Sequence, residues 1–157
     1  MTTSAYWYAI DEVGIISGPF SWDTPIITDM FGDRARLRVV AQSTLSMKDY
    51  ADYFISTVFL SLNQNLSREE PSILFETLIE GPDNESGVVT RCDSLRQAIE
   101  GHLEHVSKLI LSGWKISKHE SRFIPASTWS PNEVKKEEET SSSSNLLSSS
   151  LRRLAGI

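Results

Sequence analysis

The pattern of apolar and polar positions changes period along this chain. From Ala5 to Phe20, aromatic and aliphatic residues surround Gly14 and end at Gly18-Pro19. That predicts two short strands turning near Asp11 to Gly14. Ser21 to Asp33 is less regular: Pro25, Ile26, Ile27, Met30 and Phe31 fit either a short helix or an extended cover. From Arg36 to Leu45 the period is two, the mark of a half-buried strand. Leu37, Val39, Ala41 and Leu45 fall on one face, with Arg36, Arg38, Gln42 and Thr44 on the other. Phe54 to Leu62 is the stretch richest in β-branched and aromatic types, with Val58, Leu60 and Leu62 opposite Thr57 and Phe59. Ile73 to Glu80 alternates again, placing Ile73, Phe75, Thr77 and Ile79 opposite Leu74, Glu76, Leu78 and Glu80. A turn from Gly81 to Gly87 leads to a short strand at Val88 to Arg91.

The period then becomes helical. Ser94 and Gln97 have the spacing of a capping box. Leu95, Ala98, Ile99, His102, Val106, Leu109 and Ile110 follow at threes and fours, up to Gly113. Trp114 to Phe123 predicts one more strand. The expectation is an α+β fold: an antiparallel β-meander of three to five strands with one amphipathic helix packed on one face. The divisions expected are a hairpin-like extension over 1–35, an α+β core over 36–123, a linker over 124–145 and a short apolar motif over 146–157. Residues 131–145 are mostly Glu, Lys and Ser, a composition that buries too little apolar surface to offset its ordering entropy. In the last stretch, Leu147, Leu151 and Leu154 share one helical face beside Arg152 and Arg153, a pattern that suits docking into a groove, either a partner's or this domain's own.

Composition narrows the function classes. The formal net charge is -6 and the sequence isoelectric point is about 5.1, which argues against nonspecific binding to nucleic acid or anionic lipid. Only the local cluster Arg34, Arg36 and Arg38 runs against it. Cys92 is the single cysteine, so no disulfide forms within the chain and a reducing, cytoplasmic setting is expected. Met1 to Pro19 carries no positive charge ahead of an apolar run, unlike a signal peptide. No stretch approaches the roughly 18–20 apolar residues that span a bilayer.

Catalytic and metal motifs are sparse. Cys92, His102, His105 and His119 are the whole supply of soft and imidazole ligands. A structural zinc site would need all four, at a spacing that fits no standard finger; in the apolar stripe, His102 reads as a packed, hydrogen-bonded residue. Glu76 and Glu80 stand about 13 Å apart along a strand, too far for a retaining carboxylate pair. No G-x-S-x-G elbow, P-loop or dinucleotide fingerprint occurs, so no cofactor is expected. The polar set that strand pairing could gather is Asn63, Gln64, Glu76 and His102.

Two resemblances add to this reading. Trp7-Tyr8, Asp11, Gly14 and Gly18-Pro19-Phe20 resemble the opening of GYF-type peptide-binding domains. The likeness implies an aromatic groove for an extended peptide; the alternative is a Trp-Tyr hairpin that seals the edge of the core. Ser56-Thr57-Val58-Phe59-Leu60-Ser61-Leu62, then Pro71 and Leu74-Phe75-Glu76-Thr77, then Glu100-Gly101-His102, resemble a group of small uncharacterised proteins of bacteriophages and prophages. Where that group carries Gly-Leu-Asp-His, this chain has Ser61-Leu62-Asn63-Gln64; Asn63 is expected to form a turn. The resemblance implies a viral origin and supports the sheet.

Together these point to a non-enzymatic accessory protein in the host cytoplasm that binds a host or phage protein. Its acidity suits a basic partner surface. Trp7, Tyr8, Asn63, Gln64, Leu147, Leu151, Arg152, Arg153 and Leu154 are the candidate contacts. A small enzyme or ligand-binding protein, and a minor virion component, are the alternatives.

Overall fold

In the computed structural model, the residues described are 6–64, 72–82 and 85–129. The chain opens with β1 (Trp7–Ile10) and β2 (Ile16–Phe20), paired antiparallel. Asp11 builds the turn between them. Its Oδ1 accepts the N–H groups of Val13 and Ile15 at 3.0 and 2.9 Å. Gly18 has φ 136°, and a Cβ there would meet the Trp7 carbonyl oxygen at 2.8 Å, so only glycine lets the two strands close.

The irregular stretch resolves as a helix, α1 (Pro25–Met30), with Pro25 in its first turn and Ile27 and Met30 buried. The next strand starts later than its alternation suggests. Ala35–Arg38 forms a turn of 3-10 helix, and β3 runs over Val39–Ser46. A register shift between Val39 and Ala41 follows, with both Val40 and Ala41 buried. Of the four residues expected on one face, Leu37 is buried from the 3-10 turn, and only Ala41 and Leu45 are buried strand residues.

β4 (Tyr53–Phe59) ends before Leu60 and Leu62. Ser61 takes φ 68°, which breaks the extended run, and Leu62 bridges instead to Trp7. β5 (Phe75–Glu80) and β6 (Ser86–Cys92) complete a meander. Helix α2 (Leu95–Leu111) begins at Ser94, whose hydroxyl accepts the Gln97 N–H at 3.2 Å. β7 (Lys115–Ser121) returns to pair with β3. The main sheet has the order β6-β5-β4-β3-β7, antiparallel throughout. α2 therefore carries the chain from one edge of the sheet to the other and covers one face. This is the expected α+β meander and helix, with the five strands at the upper end of the range.

Alternation sorts the sheet residues. Ala41, Phe59 and Phe75 pack with Ala98 and Leu103 of α2, and Leu45 and Ile55 pack with Val106. Gln42, Thr44, Ser56, Val58, Glu76, Leu78, Glu80, Lys118 and Glu120 alternate with these inward positions and form the opposite face. Trp114 closes the second cluster against Tyr53, with ring centroids 4.6 Å apart.

Two expected boundaries move. The segment before residue 36 is not an appendage, because Ala9, Ile10, Ile27 and Met30 belong to the same core as Phe59, Phe75 and Leu103. Arg122 ties these parts together: Nη1 donates to the carbonyls of Asp11 and Glu12 at 2.8 and 2.9 Å, and Nη2 to that of Leu37 at 2.6 Å. At the other end, residues 124–129 pack rather than link. Ile124 is buried, and Trp129 meets the His119 ring edge-on at 4.5 Å. The segments 131–145 and 146–157, with Leu147, Leu151, Arg152, Arg153 and Leu154, lie outside the described residues. Among the described residues no helix is long and apolar enough to cross a membrane.

Candidate functional site

Two groups of residues stand out, one sealed and one exposed. The sealed group lies beneath α2. His102, fully buried, is bonded through both ring nitrogens: Nε2 to the Ser43 hydroxyl at 2.9 Å and Nδ1 to the Thr57 hydroxyl at 2.9 Å. Thr57 continues to Thr77 at 2.7 Å, and Ser43 to His119 Nδ1 at 2.8 Å. The result is a chain, Thr77–Thr57–His102–Ser43–His119, across β5, β4, β3 and β7. Each hydroxyl and each neutral imidazole supplies one proton, so the bonds run in one direction along the chain. Run from Thr77 toward His119, the chain gives every hydroxyl proton an acceptor and leaves only His119 Nε2, which is buried without a partner.

Burial drives the His102 pKa down to about 3, with His119 and His105 adding to the effect. A serine hydroxyl between two imidazoles has the composition of an acyl-transfer nucleophile. Ser43, however, is 1% exposed, and neither surface cleft along α2 is lined by any residue of the chain of bonds. The cluster specifies packing: it fixes the helix over four strands and their mutual register.

The polar set expected to gather does not. Thr77 turns toward His102, so its neighbour Glu76 points to the opposite face, where it pairs with Arg91 at 3.2 Å. Asn63 and Gln64 sit beyond the end of β4. Asn63 Oδ1 accepts the Ile73 N–H at 2.9 Å, and its Nδ2 meets the Ser72 hydroxyl at 3.3 Å. Its side chain thus ties the chain to residues nine and ten positions on rather than closing a local turn, and the positive φ belongs to Ser61. His105 bonds Thr90 at 2.9 Å, and burial lowers its pKa. Burial raises the Cys92 thiol, which removes the nucleophilic advantage that Arg91 beside it would confer. Among the described residues no three His, Cys, Asp or Glu side chains are placed to hold a metal.

The exposed group is aromatic. Tyr8 N–H donates to the Ser61 carbonyl at 2.8 Å, and Asn63 N–H to the Tyr6 carbonyl at 3.1 Å. These bonds bring Trp7, Tyr8, Asn63 and Gln64 side by side, uniting two stretches distant in sequence. Trp7 then joins Trp22 at 4.7 Å and Phe31 at 5.7 Å, and Trp22 meets Phe31 at 5.6 Å. Arg38 lies over the Phe31 ring, 4.3 Å from its centroid. Trp22 is 51% exposed and Phe31 40%. Trp7 packs against the core on one side and touches the Trp22 and Phe31 rings on the other. Trp22 and Phe31 were not among the sequence candidates for contact. The available signal was Trp22 itself, an indole set between Ser21 and Asp23 where no core alternation calls for one.

No family model, curated protein or solved structure matches the chain.

Proposed function

We propose that this is a phage-encoded accessory protein that binds a host or phage protein in the host cytoplasm without catalysing a reaction, and that Trp7, Trp22, Phe31 and Arg38 form its contact surface. The observation that carries the reading is the exposure of two rings, Trp22 and Phe31, clustered on the half-buried Trp7, with a guanidinium stacked on Phe31. Trp, Tyr and Arg dominate the energetics of protein interfaces, because they bury large areas at low entropic cost. A monomer gains little by leaving two large rings half in water. The complementary partner presents an aliphatic side chain to the rings and a carboxylate to Arg38. The enzyme alternative has no gathered polar set to support it, since Glu76 and His102 lie on opposite faces of the sheet. Phage origin rests on the resemblance of residues 56–62, 74–77 and 100–102.

The test is affinity capture from lysate of infected host cells, with the full chain as bait. A discrete partner in near-stoichiometric amount is expected. Trp22→Ala with Phe31→Ala should reduce its recovery about tenfold, in the range of hot-spot truncations, while Lys118→Ala on the open sheet face should leave it unchanged. Equal recovery by the double variant would refute the assignment.

A further inference from the structure

The edge strand β6 and helix α2 bound a seam that no other element among the described residues covers. Two clefts follow one another there. The first, of about 430 Å³, has walls of Tyr53, Ile79, Val88, Val89 and Leu109. The second, of about 630 Å³, is bordered by Asp93, Glu100 and Glu104, with Arg91 at its margin. The hydrogen bond between Thr90 and His105 stands between them. Gly81 contributes to the first cleft indirectly: a Cβ there would collide with the Tyr53 ring, so glycine allows that ring to lie as wall.

The outer side of β6 pairs with no strand among the described residues. Of its seven residues only Arg91 is charged, and Val88 and Val89 are 43% and 45% exposed. Edge strands that are meant to stay single carry lysines, prolines or bulges that discourage pairing. β6 has one register shift, where Thr90 and Val88 face Thr77 and Leu78, but no lysine or proline; the opposite edge, β7, adds Lys115, Lys118 and Glu120 to a register shift of its own.

We propose that this seam takes an extended peptide from a partner protein, added to β6 as a sixth strand, with an aliphatic side chain in the first cleft and a Lys or Arg in the second. The inference stands on the seam alone and does not depend on the aromatic patch. The peptide main chain satisfies the outer N–H and C=O groups of β6, and alternate side chains enter the seam. The clefts centre near Val88 and near Arg91–Cys92, so the two anchors stand about four residues, or ~13 Å, apart on the peptide. The charge follows from the three carboxylates bordering the second cleft. Asp93 has no ion-pair partner among the described residues, while Glu100 and Glu104 have only exposed ones.

The experiment uses the full chain and short fluorescent peptides in a Ser/Thr background, carrying Leu and Arg four residues apart in either order. Anisotropy should show the Arg peptide binding at least about tenfold tighter than its Glu counterpart. Glu100→Lys with Glu104→Lys should invert that preference, and Val88→Lys should weaken both peptides, without change from Lys118→Glu on the other edge. No binding up to about 1 mM, or equal binding of the Arg and Glu peptides, would overturn the proposal. So would tighter binding on changing Leu151, Arg152, Arg153 and Leu154 to Ser, since the chain's own C-terminal segment would then be the occupant.

Discussion

The cluster around His102 and the patch around Trp22 are both assembled from side chains far apart in sequence, yet they have opposite relations to water. Around His102 almost every polar atom has a protein partner, and Ser43, Thr57, Thr77 and His102 are all buried. Around Trp22 the apolar rings are touched by one another and left half exposed. A buried polar group without a partner is costly, so the first cluster is held by the fold's own stability. An exposed aromatic surface adds little to folding, which is the ground on which we propose the second as a contact surface. The difference separates architecture from function: the residues that carry the phage-like segments, Thr57, Thr77 and His102, are architectural.

The sharpest way to break this contrast is to truncate each group and compare stabilities. His102→Ala leaves Ser43 and Thr57 without their shared partner and opens a void, at an expected cost of about 3–5 kcal/mol. Trp22→Ala with Phe31→Ala should cost no more than about 1 kcal/mol in denaturant unfolding. Similar losses from both would dissolve the distinction.

A gentler probe is pH. The folded His102 pKa lies near 3, below the ordinary 6.5, so the unfolded chain binds the proton more readily. Stability from this group is complete above about pH 6.5 and declines as pH falls toward 3. The decline amounts to about 2 kcal/mol between pH 7 and 5. Burial lowers His105 and His119 as well, in the same direction. His102→Gln keeps hydrogen-bonding groups but cannot titrate, and should flatten the slope; an unchanged slope would mean that His102 is solvated.

The smallest effect belongs to Asn63. Its two side-chain bonds to Ser72 and Ile73 predict a loss of about 1 kcal/mol on replacement by Ala. Partner capture should persist, because the Asn63 amide braces Ser72 and Ile73 while the strand carrying Trp7 is held by the Asn63 backbone N–H donating to the Tyr6 carbonyl. Lost capture at unchanged stability would make Asn63 a contact residue.

Much of the fold was legible because period two and period 3.6 are direct consequences of burying one face. The faces of β5 and the cap at Ser94 could be placed from the pattern alone. What alternation could not show was where the backbone departs from it. The 3-10 turn at Ala35–Arg38, the register shift after Val39 and the positive φ of Ser61 each end or displace a strand whose side chains still alternate on paper. The site was less legible for a related reason. Periodicity locates residues within an element, whereas Trp7, Trp22, Phe31 and Arg38 meet across a hairpin, a loop, a helix end and a 3-10 turn. His102 shows what could be inferred: an imidazole in an apolar stripe demands hydrogen-bond partners. The inward threonines Thr57 and Thr77 were the available donors, but only the strand register reveals that they line up.

The central claim is that the aromatic patch is the contact surface, and site-specific photo-crosslinking tests it most directly. A photoreactive amino acid is placed at position 22 and, in a separate protein, at position 118 on the open sheet face; each is irradiated in lysate of infected host cells. The account predicts one discrete heterologous adduct from position 22, lost on Phe31→Ala, and none from position 118. Adducts from position 118 alone, or from position 22 regardless of Phe31, would contradict it.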